Sequence, residues 1–411
     1  MPRLFTNSYC ALLAANFLMY FGFWLLIPLL PFYLQEMYGL DERMIGIILC
    51  GYTVSALMVR PFSGFLMDRF PRKPLYLLAY GLFCSIFVGY MFGVPLTLFI
   101  LLRILHGLAF GAVTLGGNTL VVDVMPWARR GEGLGYYGLA NNMAMSLGPM
   151  TGLFLHGHMS YALIFGIGMS ACLLGWTLAG MVRAPRKQAV PATGTTANRG
   201  AAKPIGWDRF LLLRGIPAGI SLILLSIPYG TTTNFVALYA EQIHLHVPSG
   251  FFFVILAAGM GISRLFAGRY VDRGRVTECI HCGFYLVVSA FLLLSTCALL
   301  VRYRPEAART IFFVVPALQG IGFGIMFPAY NSLYINLAPH NRRATATSTY
   351  LTSWDFGIGT GILLGGMLAR THGFAAVYLC GGLLSLLSML YFHKIVTPHY
   401  HRYKYPEGRT M

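Results

Sequence analysis

The chain predicts an all-α membrane protein of twelve transmembrane helices, arranged as two pseudo-symmetric six-helix halves. Composition is the first observation behind that reading. Of 411 residues 57% are hydrophobic and only 10% charged, with a mean hydropathy of +0.66. No water-soluble domain of this size buries so much apolar surface, so a bilayer is the solvent. The second observation is an internal repeat. His106-Gly107-Leu-Ala-Phe-Gly111, followed by Asn118, Pro126, Arg129 and Arg130, is matched by Gln319-Gly320-Ile-Gly-Phe-Gly324, Asn331, Pro339, Arg342 and Arg343, each pair 213 residues apart. Arg60, Gly64, Asp68 and Arg69 repeat as Arg264, Gly268, Asp272 and Arg273 at a spacing of 204, so a nine-residue indel separates the two segments. Duplication in an apolar chain is the mark of secondary transporters, whose halves rock about a central site.

A membrane span needs about 20 apolar residues. Gly, Pro and charge clusters divide the chain into runs near 8–34, 44–66, 74–93, 95–122, 133–156, 159–182, 209–238, 248–268, 279–301, 309–337, 344–369 and 374–394. The first run is longer than a signal-peptide core and lacks a small-residue cleavage site, so it reads as a retained span. The halves are 1–183 and 208–396. Between them, 184–207 is rich in Pro, Ala, Thr, Gly, Arg and Lys and cannot bury a core, which predicts a cytoplasmic tether. The tail, 397–411, is polar, aromatic and basic, as expected of a cytoplasmic anchor at the lipid headgroups.

Orientation follows from the cations. With the amino terminus in the cytoplasm, Arg3, Arg69, Arg72, Lys73, Arg129, Arg130, the tether, Arg269, Arg273, Arg275, Arg342, Arg343 and the tail all fall inside; only Arg43, Arg302, Arg304, Arg309 and Arg370 fall outside. The positive-inside rule then places both termini in the cytoplasm. It also accounts for the net charge of +17 without a nucleic-acid partner. Short loops point to a bacterial inner (plasma) membrane. Cys279-Ile-His281-Cys282 has no second ligand pair at zinc spacing, and the paired histidines lack a third ligand, so no metal site is expected.

At the motifs a family resemblance becomes specific. Gly64-Phe-Leu66-Met-Asp68-Arg69-Phe-Pro71-Arg72-Lys73 resembles the loop G-x-L-x-D-R-x-G-R-K of the major facilitator superfamily, with Pro71 in place of glycine. Elementary chemistry agrees: Gly64 admits close helix approach, Asp68 can cap a helix, and Arg69 or Arg72 can pair with Asp123 at the end of span four. The resemblance implies a cytoplasmic gate of Gly64, Asp68, Arg69, Arg72 and Asp123, with a partial second copy at Gly268, Asp272 and Arg273. Gly135, Ala144, Gly148, Pro149 and Gly152 are similar to the family's antiporter motif, which implies export; small residues there are expected to pack against a span of the other half. Gly22 through Pro28 and Pro31 is similar to the G-x5-P-x2-P pattern of twelve-span drug/proton antiporters. The resemblance thus points to the exporter branch, near the drug, sugar and metallophore efflux groups.

Charges inside spans are few. Arg103 stands a third of the way into span four, where an arginine is costly and needs compensation; Arg103-Ile-Leu-His106-Gly107 matches a family element linked to proton coupling, with His106 within reach of the same face. Asp355 is a carboxylate near the middle of span eleven, where burial favours the protonated form. Asp355, Arg103 and His106 are therefore the expected coupling residues. The family fold places spans one, four, seven and ten at the centre, making Asn16, Tyr20, Trp24, Asn118, Tyr229, Asn234 and Asn331 candidate cavity contacts, joined by Asn141, Asn142 and Trp354.

These features predict a proton-coupled secondary transporter, working as a monomer without a resident cofactor, that exports a small amphipathic molecule of modest polarity by alternating access. Symport of a sugar or organic anion is the alternative if the span-five glycines only pack helices. A non-transporting receptor or scaffold would require a folded soluble module, for which no loop is long enough. No nucleophile–base pair or metal constellation suggests an enzyme.

Overall fold

The computed structural model describes residues 4–126, 129–183, 211–339 and 343–404, which form helices and no strand. The tether at 184–207 and the tail from 405 lie outside them. Span one is broken: α1 (Asn7–Leu26) begins at a Thr6 cap, whose hydroxyl accepts from the Tyr9 N–H at 3.2 Å, and α2 (Leu30–Tyr38) follows. Pro28 and Pro31 supply no backbone N–H there, so the ladder is interrupted. The first half continues through α3 (Glu42–Arg69), α4 (Arg72–Met91), α5 (Leu96–Val124), α6 (Arg130–Leu155) and α7 (Tyr161–Met181). The second comprises α8 (Ile216–Gln242), α9 (Gly250–Asp272), α10 (Val276–Tyr303), α11 (Pro305–Asn336), α12 (Arg343–Tyr391) and α13 (Thr397–Tyr403).

Ten stretches among the described residues are long and apolar enough to cross a bilayer. The last is 59 residues, about 90 Å at the α-helical rise and far beyond one crossing. It folds back at Gly373, whose φ of 76° and ψ of 166° leave the helical region and suit glycine. Its neighbours along α8 prove the reversal. The Thr231 hydroxyl donates to the Gly361 carbonyl at 3.0 Å and the Leu212 N–H to the Thr349 hydroxyl at 2.9 Å, so the first arm runs parallel to α8. Ser221 meets Ser388 at 2.9 Å while Phe235 meets Phe374, so the second arm runs antiparallel. With both arms and α6, which is less apolar but 26 residues long, twelve helical segments among the described residues have crossing length.

The second arm runs on past 396 through a π-turn into α13, where Tyr400 is buried and accepts from the Asn336 amide at 2.9 Å. Part of the expected polar tail therefore packs on the bundle, because its tyrosine has an apolar body to bury. Outward-facing side chains such as Leu78, Phe154, Met181 and Leu299 are more than half exposed, a surface suited to lipid rather than water.

Alternation of the helices gives the bundle two faces. One carries the start of α1, the ends of α7 and α13 and the start of α8; the Ser8 hydroxyl there accepts from the Arg183 N–H and His399 meets the Arg214 carbonyl. At the opposite face the halves close on each other. A Cβ on Gly46 of α3 would stand 2.7 Å from the Ile362 carbonyl of α12, and one on Gly250 of α9 would stand 3.0 Å from the Met150 Cα of α6. Arg370 donates to Asp41 at 3.1 Å across the same seam. The Met44 N–H and then Arg370 hold the Asp41 carboxyl below its usual range. The first of the two faces is the terminal face and the second the closed face.

Candidate functional site

Between the halves lies a cavity of about 270 Å³, at the depth where both halves contribute the middles of their helices. Its walls are aromatic. On the first half Tyr20, Phe23 and Trp24 of α1 meet Phe110 of α5, with the Phe23 and Phe110 rings 4.3 Å apart; on the second Tyr229, Phe327 and Trp354 cluster, with Phe327 and Trp354 at 4.6 Å. Such rings supply apolar area with directional edges and faces.

The same cavity holds Arg60, Arg103, Arg264 and Asp355. The expectation of few fixed charges is therefore corrected, because three arginines reach inward from α3, α5 and α9. Arg60 pairs with Asp355, joining the first half to the second within the membrane. Arg264 reaches the other way: its Nη1 donates to Asn142 Oδ1 of α6 at 3.1 Å, and its guanidinium lies 5.6 Å from the Phe327 ring centroid. Arg103 is 2% exposed and lies 4.3 Å from the Tyr52 ring centroid, a cation–π contact that offsets part of its burial. Among the described residues no carboxylate pairs with Arg103 or Arg264, and the Nε of each has no hydrogen-bond partner.

Of the expected coupling residues, Asp355 and Arg103 line the cavity and His106 does not. Three residues advance an α-helix by about 300°, so the two side chains diverge by about 60°. His106 is fully buried, 3.1 Å from the Tyr90 hydroxyl and with its ring tilted against Phe83 at 4.3 Å. Seven of the expected cavity contacts line the walls: Tyr20, Trp24, Asn141, Asn142, Tyr229, Asn234 and Trp354. Asn16, Asn118 and Asn331 do not. All three stand on the same helices one or two turns nearer the terminal face; Asn16 is covered and Asn118 exposed.

The gate motif is described in part. The surroundings of Gly64 and the side chains of Asp68 and Asp272 lie outside what is described, and Arg69 and Arg273 are exposed at helix ends. Arg72 Nη1 donates to both Asp123 oxygens, at 2.7 and 2.8 Å. Both partners belong to the first half, so this pair staples α4 to α5 and does not itself bridge the halves. A Cβ on Gly268 would meet nothing within 4 Å, so no tight contact needs glycine there. The span-five motif also differs from expectation. Gly148 and Gly152 face α1 of their own half, where a Cβ would stand 2.8 Å from the Leu25 nitrogen and 2.7 Å from its carbonyl oxygen, and Gly135 touches nothing within 4 Å. Near the motif, the residue of this helix that meets the other half is Met150, against Gly250. The reason is the turn it occupies, two residues from Gly148 and so on the opposite side of the helix.

Arg60 and Arg264 were visible as a repeated pair but not as cavity residues. Cations one or two turns from a basic loop resemble positive-inside charge, and only the fold turns them inward.

The Major Facilitator Superfamily model matches residues 12–301 and 274–410. The staphylopine export protein of Staphylococcus aureus (strain Mu50) is 22% identical over 370 residues, spanning 88% of this chain and 89% of that protein. The quinolone resistance protein NorA of S. aureus (strain MSSA476) is 25% identical over 377 residues, covering 89% and 91%. Among solved structures, the nucleoside transporter NupG superposes with a TM-score of 0.72 at 15% identity, covering 94% of this chain and 99% of its own. A bacterial homologue of the human lysosomal transporter Spinster superposes at 0.75 and 12% identity, covering 98% of each. These relatives are transporters rather than enzymes. A duplicated helical bundle, a charged cavity between its halves and a family match along the chain lead to one conclusion: this is a multi-pass membrane transporter that belongs to the major facilitator superfamily.

Proposed function

We propose that the protein exports a small amphipathic molecule across a bacterial plasma membrane, driven by protons and working by alternating access. The observation that carries this reading is the Arg60–Asp355 pair, an ion pair between the two moving halves inside the cavity. A proton on Asp355 removes its charge, frees Arg60 and loosens α3 from α12, so protonation and the relative position of the halves are linked. The arrangement described here has the halves sealed at the closed face and Asp355 bound to an arginine. With the cation-rich terminal face in the cytoplasm, this is the state that has released its proton inward and receives cargo from inside. Export by the staphylopine relative supports the direction, and quinolone resistance in the other is consistent with it.

The test uses inside-out vesicles containing the full chain and a fluorescent quinolone as probe. An imposed proton gradient should drive accumulation that an ionophore collapses, and Asp355→Asn should abolish the driven component while leaving equilibrium binding in place. Undiminished accumulation by Asp355→Asn would remove the carboxylate from the coupling step.

A further inference from the structure

The cavity contains the same device twice, and the two copies differ in one atom group. Arg60 and Arg264 are repeat positions on α3 and α9, 204 residues apart. Their partners are repeat positions too: Asn142 on α6 and Asp355 on α12 are 213 apart, the spacing that also relates Tyr137 to Tyr350 and Gly148 to Gly361. Each arginine crosses from its own half to the other. In one copy the guanidinium meets a carboxylate, and in the other a neutral amide.

The amide leaves the second arginine unneutralised. Asn142 Oδ1 accepts one bond from Arg264 Nη1, whereas a carboxylate would accept two and carry the opposite charge. Among the described residues Arg264 Nε has no partner, and across the cavity the almost wholly buried Arg103 also has an orphan Nε and no carboxylate. Three arginines against one aspartate leave two uncompensated positive charges in a cavity inside the membrane. Guanidinium groups inside the membrane without counter-charge are expensive, and a site that tolerates them is shaped for an anion that arrives later.

We propose that the cargo carries a carboxylate, which docks on Arg264 beside Asn142, faces Arg103, and so supplies the counter-charge that Asp355 gives to Arg60. The aromatic walls at Trp24, Phe327 and Trp354 take its apolar body. This rests on the transporter reading for the word cargo, but binding at the subsite does not depend on proton coupling.

Three probes of one size separate the possibilities: radiolabelled 2-naphthoate, 2-naphthylmethanol and 2-naphthylmethylamine, bound at equilibrium to the purified full chain in neutral detergent. The acid should bind at least about tenfold tighter than the alcohol, and the amine weakest, as a charge-assisted bidentate contact implies. Asn142→Asp places a carboxylate on Arg264 and should erase the preference for the acid while holding the alcohol within about twofold. Arg264→Gln should do the same, and Arg264→Lys should keep the preference in part. The coupling variant Asp355→Asn should keep the preference or raise it, because Arg60 then faces an amide as well, so failure of proton coupling and failure of the anion subsite give different results. Equal binding of acid and alcohol to the unaltered chain, or an undiminished preference in both Asn142→Asp and Arg264→Gln, would overturn the proposal.

Discussion

The two halves are built on one plan and finished differently. Gly148 and Gly152 let α6 lie against α1 in the first half; their counterparts Gly361 and Gly365 let α12 lie against α8 in the second. At the first of these pairs the fit is tighter in the second half, where a Cβ on Gly361 would collide with the Ile227 carbonyl oxygen, while the nearest atom to one on Gly148 lies at 2.8 Å. Polar residues diverge further. Arg60 faces Asp355 whereas Arg264 faces Asn142, and His106 corresponds to Gln319, which is buried with both amide atoms unpartnered. The packing glycines and the two arginines match between the halves, while the residues that face the arginines differ, which suits the division into a coupling side and a cargo side proposed above.

The sharpest way to break this comparison is to exchange the two partners. Asp355→Asn alone should abolish gradient-driven transport. In the double variant Asp355→Asn with Asn142→Asp, Arg60 becomes the arginine that faces an amide, and naphthoate binding lost in Asn142→Asp should return. If the double variant binds no better than Asn142→Asp, the two sides are not interchangeable and the repeat is only a packing relation. A smaller effect is expected from packing. Gly361→Ala should cost about 1–3 kcal/mol through overpacking, read as a fall in the thermal midpoint in detergent, and should exceed the cost of Gly148→Ala. A larger drop for Gly148→Ala would reverse the ranking of the halves.

Smaller still is the seam at the closed face. Asp41 is held below the usual carboxylate range, so its pairing with Arg370 is complete above its ordinary pKa and is lost only as pH falls through the lowered value. Transport rates should therefore show no step from Asp41 between about pH 6 and 8, and Asp41→Asn should change them by less than about twofold, as exposed pairs contribute little. A step in that range that Asp41→Asn removes would show the seam to be a gate. Least affected should be Gly135→Ala, which meets open space and should leave the midpoint unchanged or raise it by the equivalent of up to about 1 kcal/mol.

Much of the scaffold was legible in the sequence because lipid forces long apolar runs and proline or glycine at their breaks. Pro28 and Pro31 interrupt the first span where the motif lies, and Gly373 turns the last two. The cavity's aromatic residues were legible from helix position alone, Tyr20 and Trp24 lying one turn apart on one stripe. What the sequence left hidden was the direction of side chains within a turn. His106 and Arg103 share a short motif yet point into different surroundings, and Gly148 and Met150 share a helix yet serve different neighbours. Depth was the other hidden coordinate. Asn16, Asn118 and Asn331 lie on central helices, but each sits too near the terminal face to reach the cavity wall. The pairing of Asn142 with Asp355 was written in the 213-residue spacing all along, and it gained meaning only when both met an arginine from the opposite half.

The chain has five tryptophans, and two of them, Trp24 and Trp354, border the cavity from opposite halves. Their indoles form an internal optical gauge. Solute that displaces water from that chamber should shift their emission to the blue, and a change in the separation of the halves should alter it again, so occupancy and rocking can both be followed in unlabelled protein.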